Sequence, residues 1–335
     1  MNRFGKTALL FAIALMTLPS CKGRRVVSIN TVGTGYTANS AYVFNADSAY
    51  SFIAAQTAFG PRVPGTRSQL DCRDWLVNTL KRLGAEVSVH TFDCQTFDKK
   101  NLKGYNITGR INPELGDRIM LCSHWDSRPW ADNDSNKKNR TKPIDGANDG
   151  ASGVGVILEI FRILASNPHV GIDCVFFDIE DWGPGPDFEK EDSKKLYWCL
   201  GSQAWSYMAR NNGYKARYAV LLDMVGASDA TFYKEGVSMK YAASVVDKYW
   251  KAAADMGYGK VFVNKDGGAV TDDHYPVNAI TGIPAIDIIP YSQSLLGSSF
   301  GSTWHTLDDN LQHIDRVTLN AVGTVLTNVL LKDFE

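Results

Sequence analysis

The chain has 335 residues, 44% of them hydrophobic and 21% charged, which is enough apolar content for a full core and excludes a disordered polymer. Formal net charge is -1 with both signs mixed along the chain, so bulk electrostatics exclude a nucleic-acid partner or recruitment to an anionic membrane surface. What this protein recognises must be recognised at a site.

At the N-terminus, Arg3 and Lys6 precede an apolar run over 7–18, then Pro19, Ser20 and Cys21. A charged start followed by an apolar stretch too short to span a bilayer reads as an export signal over residues 1–20. Its end, Leu18-Pro19-Ser20-Cys21, resembles a bacterial lipobox. That implies a lipidated Cys21 as mature N-terminus, a place in the bacterial periplasm, and membrane contact only through the anchor. Ordinary signal cleavage with Cys21 incidental is the alternative. Residues 21–40 are small, polar and basic and suit a flexible tether to a domain over 41–335. Setting Cys21 aside leaves Cys72, Cys94, Cys122, Cys174 and Cys199, an odd number, so at least one thiol stays unpaired. No C-x-x-C pair is present, which argues against a thiolate zinc site, and a Cys72 to Cys94 bridge is compatible with the sequence without being required by it.

Within the domain, Trp75, Leu76, Leu80 and Leu83 predict a helix over 67–83. Strands over 87–92, 104–110 and 118–123 follow, and Val154, Ile157, Ile160, Phe161 and Leu164 mark a helix over 152–165. The strands over 173–178 and 218–223 contain Cys174-Val175-Phe176-Phe177 and Ala219-Val220-Leu221-Leu222, continuous apolar runs of the kind covered on both faces. Ala242, Val245, Val246, Tyr249 and Ala253 predict another helix, residues 285–289 a last strand, and Val322, Val325, Leu326 and Val329 the closing helix. The alternation is unbroken, which predicts a single α/β domain whose mostly parallel central sheet is flanked by helices on both faces.

In open α/β sheets, ligands bind beyond the carboxyl ends of the strands. There, strand 118–123 runs into His124 and Asp126, strand 173–178 into Glu180, Asp181 and Trp182, and strand 218–223 ends at Asp223. Asp149 sits in the turn opening the 152–165 helix, and His305 follows Trp304. Carboxylates with imidazole and without thiolate suit a hydrolytic-type zinc with one open position. Singly these residues carry little weight, because an aspartate after a strand is ordinarily a turn former or helix cap. The signal is their joint arrival at one sheet edge. Loop aromatics Trp182, Phe300 and Trp304 converge there as candidate water-excluding walls, the alternative being scattered aromatics with no common wall.

These segments resemble the zinc-aminopeptidase clan and, within it, the type II glutaminyl cyclases, over roughly residues 44–331. His124-x-Asp126-Ser127, the Asp149 turn, the acidic pair after Phe176-Phe177-Asp178 and Leu222-Asp223 are clan features. Asp272-Asp273-His274-x-Pro276, Trp304-His305-Thr306-x-Asp308-Asp309-Asn310 and a Trp-bearing insertion between Glu180 and Gly201-Ser202 lean towards the cyclases. The resemblance implies one zinc ion per chain held by Asp149, Asp181 and His305, with Glu180 as proton-transfer residue. It also implies Asp223 and Asp272 in a hydrogen-bonded acid chain against Glu180, and Trp304 in the substrate pocket. The implied reaction converts N-terminal glutamine of peptides or proteins to pyroglutamate with release of ammonia; separately from the resemblance, the chain is expected to be a monomer. Two departures stand out: the mammalian-type pattern has glutamate where Asp181 stands, and the family's disulfide near the first motif lacks its partner here, leaving Cys122 free.

A two-zinc aminopeptidase is the main rival, with His124 and Asp223 as further ligands, Asp149 as bridge and Glu180 activating a water. A non-catalytic binding lipoprotein on the same fold is the other, although such a chain would be expected to lose ligands piecemeal. In either enzyme reading, Asp181, Asp223 and Asp272 are expected to push the Glu180 carboxyl upward by like-charge repulsion, with bound zinc opposing them.

Overall fold

Side-chain alternation along the strands sorts the interior into two cores. The computed structural model in which this is seen describes residues 42–185, 188, 195–228, 230–291 and 300–335, so the expected export signal, Cys21 and the tether lie outside the described residues. In chain order the elements are α1 (Ala46–Thr57), α2 (Arg67–Arg82), β1 (Glu86–Gln95), β2 (Asn101–Ile111), β3 (Ile119–His124), α3 (Ala151–Leu164), β4 (Ile172–Phe177) and α4 (Leu200–Asn211). There follow β5 (Ala219–Leu222), β6 (Phe232–Lys234), α5 (Gly236–Asp255), β7 (Phe262–Asp266), the one-turn α6 (His274–Pro276), β8 (Ala285–Ile288) and α7 (Arg316–Asp333). The described residues fall within one compact unit.

The main sheet has the order β1-β2-β4-β3-β5-β8. Pairings β4–β3, β3–β5 and β5–β8 are parallel, while β2 runs against both of its neighbours, so five of the six strands point the same way. Ile119, Leu121, Ile172, Cys174, Phe176, Val220, Leu222, Ile286 and Ile288 face one core, shared with α1, α2, α3, α5 and α7. The intervening Met120, Cys122, Val175, Phe177, Ala219, Leu221 and Ala285 face the other, under Trp205 and Ala209 of α4. A period of two with both faces apolar is the signature of strands buried between helix layers.

All residues of α3 except Arg162 are buried, the pattern of a helix packed on every side. Leaving water contributes about 1.5–3 kcal/mol for each large aliphatic side chain such as Ile157 or Ile160. Two glycines permit the close fit: a Cβ on Gly153 would stand 2.1 Å from the Leu222 carbonyl oxygen, and one on Gly155 would stand 2.6 Å from Ile53 Cγ1. From β3 the chain crosses through α3 to β4 on one side, then through α4 to β5 on the other. That reversal, with right-handed crossovers, puts α3 and α4 on opposite faces and opens a crevice beyond the carboxyl end of β3.

The structure also contains α1, α4 and the separate parallel pair β6–β7, none of which the apolar periodicity announced. The five described cysteines are all free, so Cys72 and Cys94 form no bridge. Among the described residues no helix is long and apolar enough to cross a membrane.

One buried cap ties the helical layer to the site. Glu235 opens α5, accepting hydrogen bonds from the amides of Val237, Ser238 and Val270, and lies 3.0 Å from His274 Nε2. Burial alone would raise this carboxyl, but His274 and the amides outweigh it and hold it at about 2, below the ordinary 4.5. Because the folded value is depressed, the stability it contributes is present above about pH 4.5 and is lost as pH falls from there towards 2. Glu235→Gln is therefore expected to lower stability at neutral pH and to flatten its acid dependence, as read from urea unfolding at a series of pH values; an unchanged slope between pH 5 and 2 would refute it.

Candidate active site

Strained turns deliver the acidic residues. Immediately after β4, Ile179 has φ of 54°, a left-handed conformation that costs a β-branched residue of order 1 kcal/mol or more. The turn is held from several directions. The Asp178 amide donates to Asn106 Oδ1 (3.0 Å), and the amides of Glu180 and Asp181 donate to the two oxygens of Asp126 (3.1 and 3.2 Å). Met224 after β5 and His305 itself also have φ of 54°. On the opposite wall, the amides of Asn148 and Asp149 donate to the Asp309 carboxylate (2.7 and 3.1 Å), which fixes the turn ahead of α3.

Asp149, Asp181 and His305, from three separate loops, bring buried donor atoms within 4.8 Å of one another. His305 Nε2 lies 3.3 Å from Asp181 Oδ1 and 3.8 Å from Asp149 Oδ2, and Asp181 Oδ2 is buried with no hydrogen-bond partner. Two carboxylates and an imidazole around one point, with an orphaned oxygen among them, fit a zinc ion with an open position. Burial and Asp181 raise the Asp149 carboxyl to about 6. Burial also acts to raise Asp181, but His305 and Arg128 outweigh it and hold that carboxyl below its ordinary value.

Glu180 stands beside this cluster. Its Oε1 accepts from the Cys199 thiol at 3.3 Å, and Glu180, Cys199 and Asp272 bring donor atoms within 4.8 Å. The Glu180 carboxyl is pushed well above its usual range, first by burial; His124 opposes this, and Asp272, Asp181 and Asp273 add to it. Desolvation is thus a larger cause than the like-charge repulsion expected from sequence. Burial and Asp223 raise Asp272 to about 7. The acid chain differs from expectation: Asp272 stands with Glu180, whereas Asp223 Oδ1 turns to His124 Nε2 at 3.2 Å. His124 Nε2 is also 2.9 Å from Asp149 Oδ1, so His124, Asp149 and Asp223 form a second donor group.

A cavity of about 410 Å³ opens over these groups, with Glu180, Asp181, Asp223 and Asp272 in its floor and Trp198, Tyr291, Phe300 and Trp304 in its walls. Trp304 stacks on His305 with ring centroids 3.9 Å apart, and Phe300 packs on Trp304 at 4.7 Å. Trp182 is a correction. It is outside the cavity wall, its indole donating to Asp98 Oδ1 at 3.1 Å and packing edge-on against Trp130, because the turn that aims Asp181 inward aims the next residue away. Trp198, from the same insertion, lines the wall instead and lies nearly parallel to the His305 ring at 6.2 Å. The sequence signal for it is only the Trp-bearing insertion as a whole. Cys199 and Arg128 carry no sequence signal at all.

Comparison with known proteins places the fold and the family. Glutaminyl cyclase from Porphyromonas gingivalis superposes with a TM-score of 0.82 at 47% identity, covering 87% of this chain and 99% of that one. A Zn-dependent exopeptidase from Parabacteroides distasonis ATCC 8503 gives a TM-score of 0.82 at 45% identity, covering 86% and 98%. Bos taurus glutaminyl-peptide cyclotransferase is 25% identical over 300 residues, 81% of this chain and 78% of that protein. The model of peptidase family M28 matches residues 106–330, two thirds of the length and every residue of the cavity floor, and the chain belongs to that family.

Proposed function

We propose that this protein is a zinc-dependent glutaminyl-peptide cyclotransferase, acting on peptides or proteins with N-terminal glutamine and releasing ammonia. The observation that carries the reading is a raised, buried carboxyl, Glu180, beside a three-ligand donor cluster in the floor of an aromatic cavity. Two solved relatives at 45–47% identity, one a glutaminyl cyclase and one a Zn-dependent exopeptidase, support both the chemistry and the metal.

The reaction needs no nucleophile from the protein. The substrate's own α-amine forms a bond to its γ-amide carbon, the amide C–N bond breaks, and the nitrogen leaves as ammonia. Glu180 takes a proton from the attacking amine and returns it to the departing nitrogen, help that is worth typically about 100- to 10,000-fold. Burial suits it to both halves by keeping its carboxyl from being a mere permanent anion. Asp149, Asp181 and His305 would hold one zinc ion, which when bound would supply Lewis-acid polarisation of the γ-carbonyl. Asp272 and Asp223 set the charge around Glu180, the first directly and the second through His124. Phe300, Trp304 and Trp198 exclude the water that would hydrolyse a polarised amide to glutamate. The Cys199 thiol is no competitor, because burial pushes it well above its ordinary range and it stays protonated.

A second reading is favoured by one observation, the donor group of His124, Asp149 and Asp223, which would give a two-zinc aminopeptidase. Glutamine-leading and leucine-leading dipeptides, offered to the purified protein, separate the two. The cyclase is expected to release one ammonia per glutamine substrate, no free amino acid from either, and to carry one zinc per chain; free leucine with two zinc ions per chain would establish the peptidase. Glu180→Gln is expected to keep the zinc and to lose at least about 100-fold in kcat. Loss of the metal in that variant would make Glu180 a ligand and defeat its assigned role.

The N-terminal segment supports export to the bacterial periplasm and lipid anchoring at Cys21, with membrane contact through that anchor alone. Cys21→Ser is expected to move the protein from the membrane fraction to the soluble periplasmic one, and continued sedimentation with membranes would count against the anchor.

A further inference from the structure

Arg128 is a fully buried cation at the edge of the site. A buried guanidinium costs several kcal/mol unless its donors are paired, and breaking such pairing is costly again, so its partners report what the charge is for. They are specific. Nε and Nη2 form a bidentate fork on Asp132 at 2.8 and 2.6 Å, while Nη1 reaches both the carbonyl oxygen and Oδ1 of Asp181 at 3.1 Å. Asp132 in turn holds His305 Nδ1 at 3.2 Å. The circuit closes where Asp181 Oδ1 and His305 Nε2 lie 3.3 Å apart. The guanidinium also rests against the rings of Trp130 and Trp198, 5.1 and 4.9 Å from their centroids.

We infer that Arg128 is the positioning residue of the zinc site, orienting Asp181 directly and His305 through Asp132. The inference rests on the ligand set proposed above. Its physical content is threefold. The Nδ1–H of His305 donates to Asp132, which fixes the tautomer that offers the Nε2 lone pair to a metal. Arg128 engages Asp181 Oδ1 and so fixes the rotation of the carboxylate, whose Oδ2 stays buried with no hydrogen-bond partner of its own. Finally, a planar fork with fixed donor angles can hold Asp132 and Asp181 at once, which a lysine ammonium cannot. The arrangement also gives the short aspartate arm at 181 a fixed aim.

The test is the zinc dissociation constant of the full mature chain, read by competition with a chromophoric chelator, together with unfolding of the metal-free protein. Arg128→Lys and Asp132→Asn are each expected to weaken zinc by about 10- to 100-fold, the usual cost of removing a partner that orients a metal ligand. The double variant is expected to lose less than the product of the single losses, because both substitutions break one circuit. Dissociation constants within twofold of the unmodified chain, with or without a change in unfolding, would show a purely structural clamp and overturn the inference. Should Arg128→Lys fail to fold, Asp132→Asn decides alone, its side chain being 29% exposed, its amide oxygen still able to accept from Arg128, and Asp181 remaining as the carboxylate partner of that guanidinium. Asp149→Ala is the control: it is expected to abolish zinc binding, and retention of zinc there would overturn the ligand set itself and this inference with it.

Discussion

Asp149, Glu180, Asp181, Asp223, Asp272, Asp273 and Asp287 are all buried at one end of a single sheet. Seven carboxyl groups that close cannot all stay ionised away from water, since each charge loses its hydration and repels the rest. The protein meets this in three ways. It lets some carboxyls rise, Asp272 to about 7 among them; it sets His124 between Asp149 and Asp223; and it fixes Arg128 beneath Asp181. Burial makes protonation of His124 harder, yet the carboxylates of Asp126, Asp149 and Asp223 outweigh it and leave that imidazole readily charged. A divalent cation in the three-ligand cluster would complete the same compensation, so metal binding and folding of this edge are one electrostatic problem.

The sheet was largely legible in the sequence because its inner strands are short continuous apolar runs, too short for a buried helix and too apolar for a loop. The strand exits were legible for the same reason: once the strands are placed, Asp126, Glu180, Asp181 and Asp223 fall at one edge. What escaped had weaker patterns. In α1 only Ala49, Ile53 and Gln56 are buried, too polar and too short a stripe to stand out. β1 lies at the sheet edge, mostly half-buried or exposed, and runs three residues past its expected end because main-chain pairing rather than side-chain burial sets its length. A cation such as Arg128 is invisible in principle, since its value depends on two carboxylates, one 53 residues away.

The choice among aromatic walls shows the same limit at finer scale. Trp182 follows Asp181 directly and is one of three wall candidates in the sequence, but its indole turns away to Asp98 and Trp130. Trp198 reaches the cavity because Cys199, with φ of 58°, bends the chain back, its amide bonded to the Glu180 carbonyl at 3.1 Å. Position in the insertion matters less than where that insertion is pinned.

Ile179, Met224 and His305 share one unfavourable backbone state, and each adjoins or is a residue of the site. Glycine at 179 or 224 would relax the main chain, but it would delete a buried side chain whose lost packing outweighs the strain relieved. It would also release the hinge on which Glu180 or Asp223 is aimed. The firmness of this catalytic edge and the ease of its backbone are therefore opposed, and evolution towards higher melting temperature has least room here.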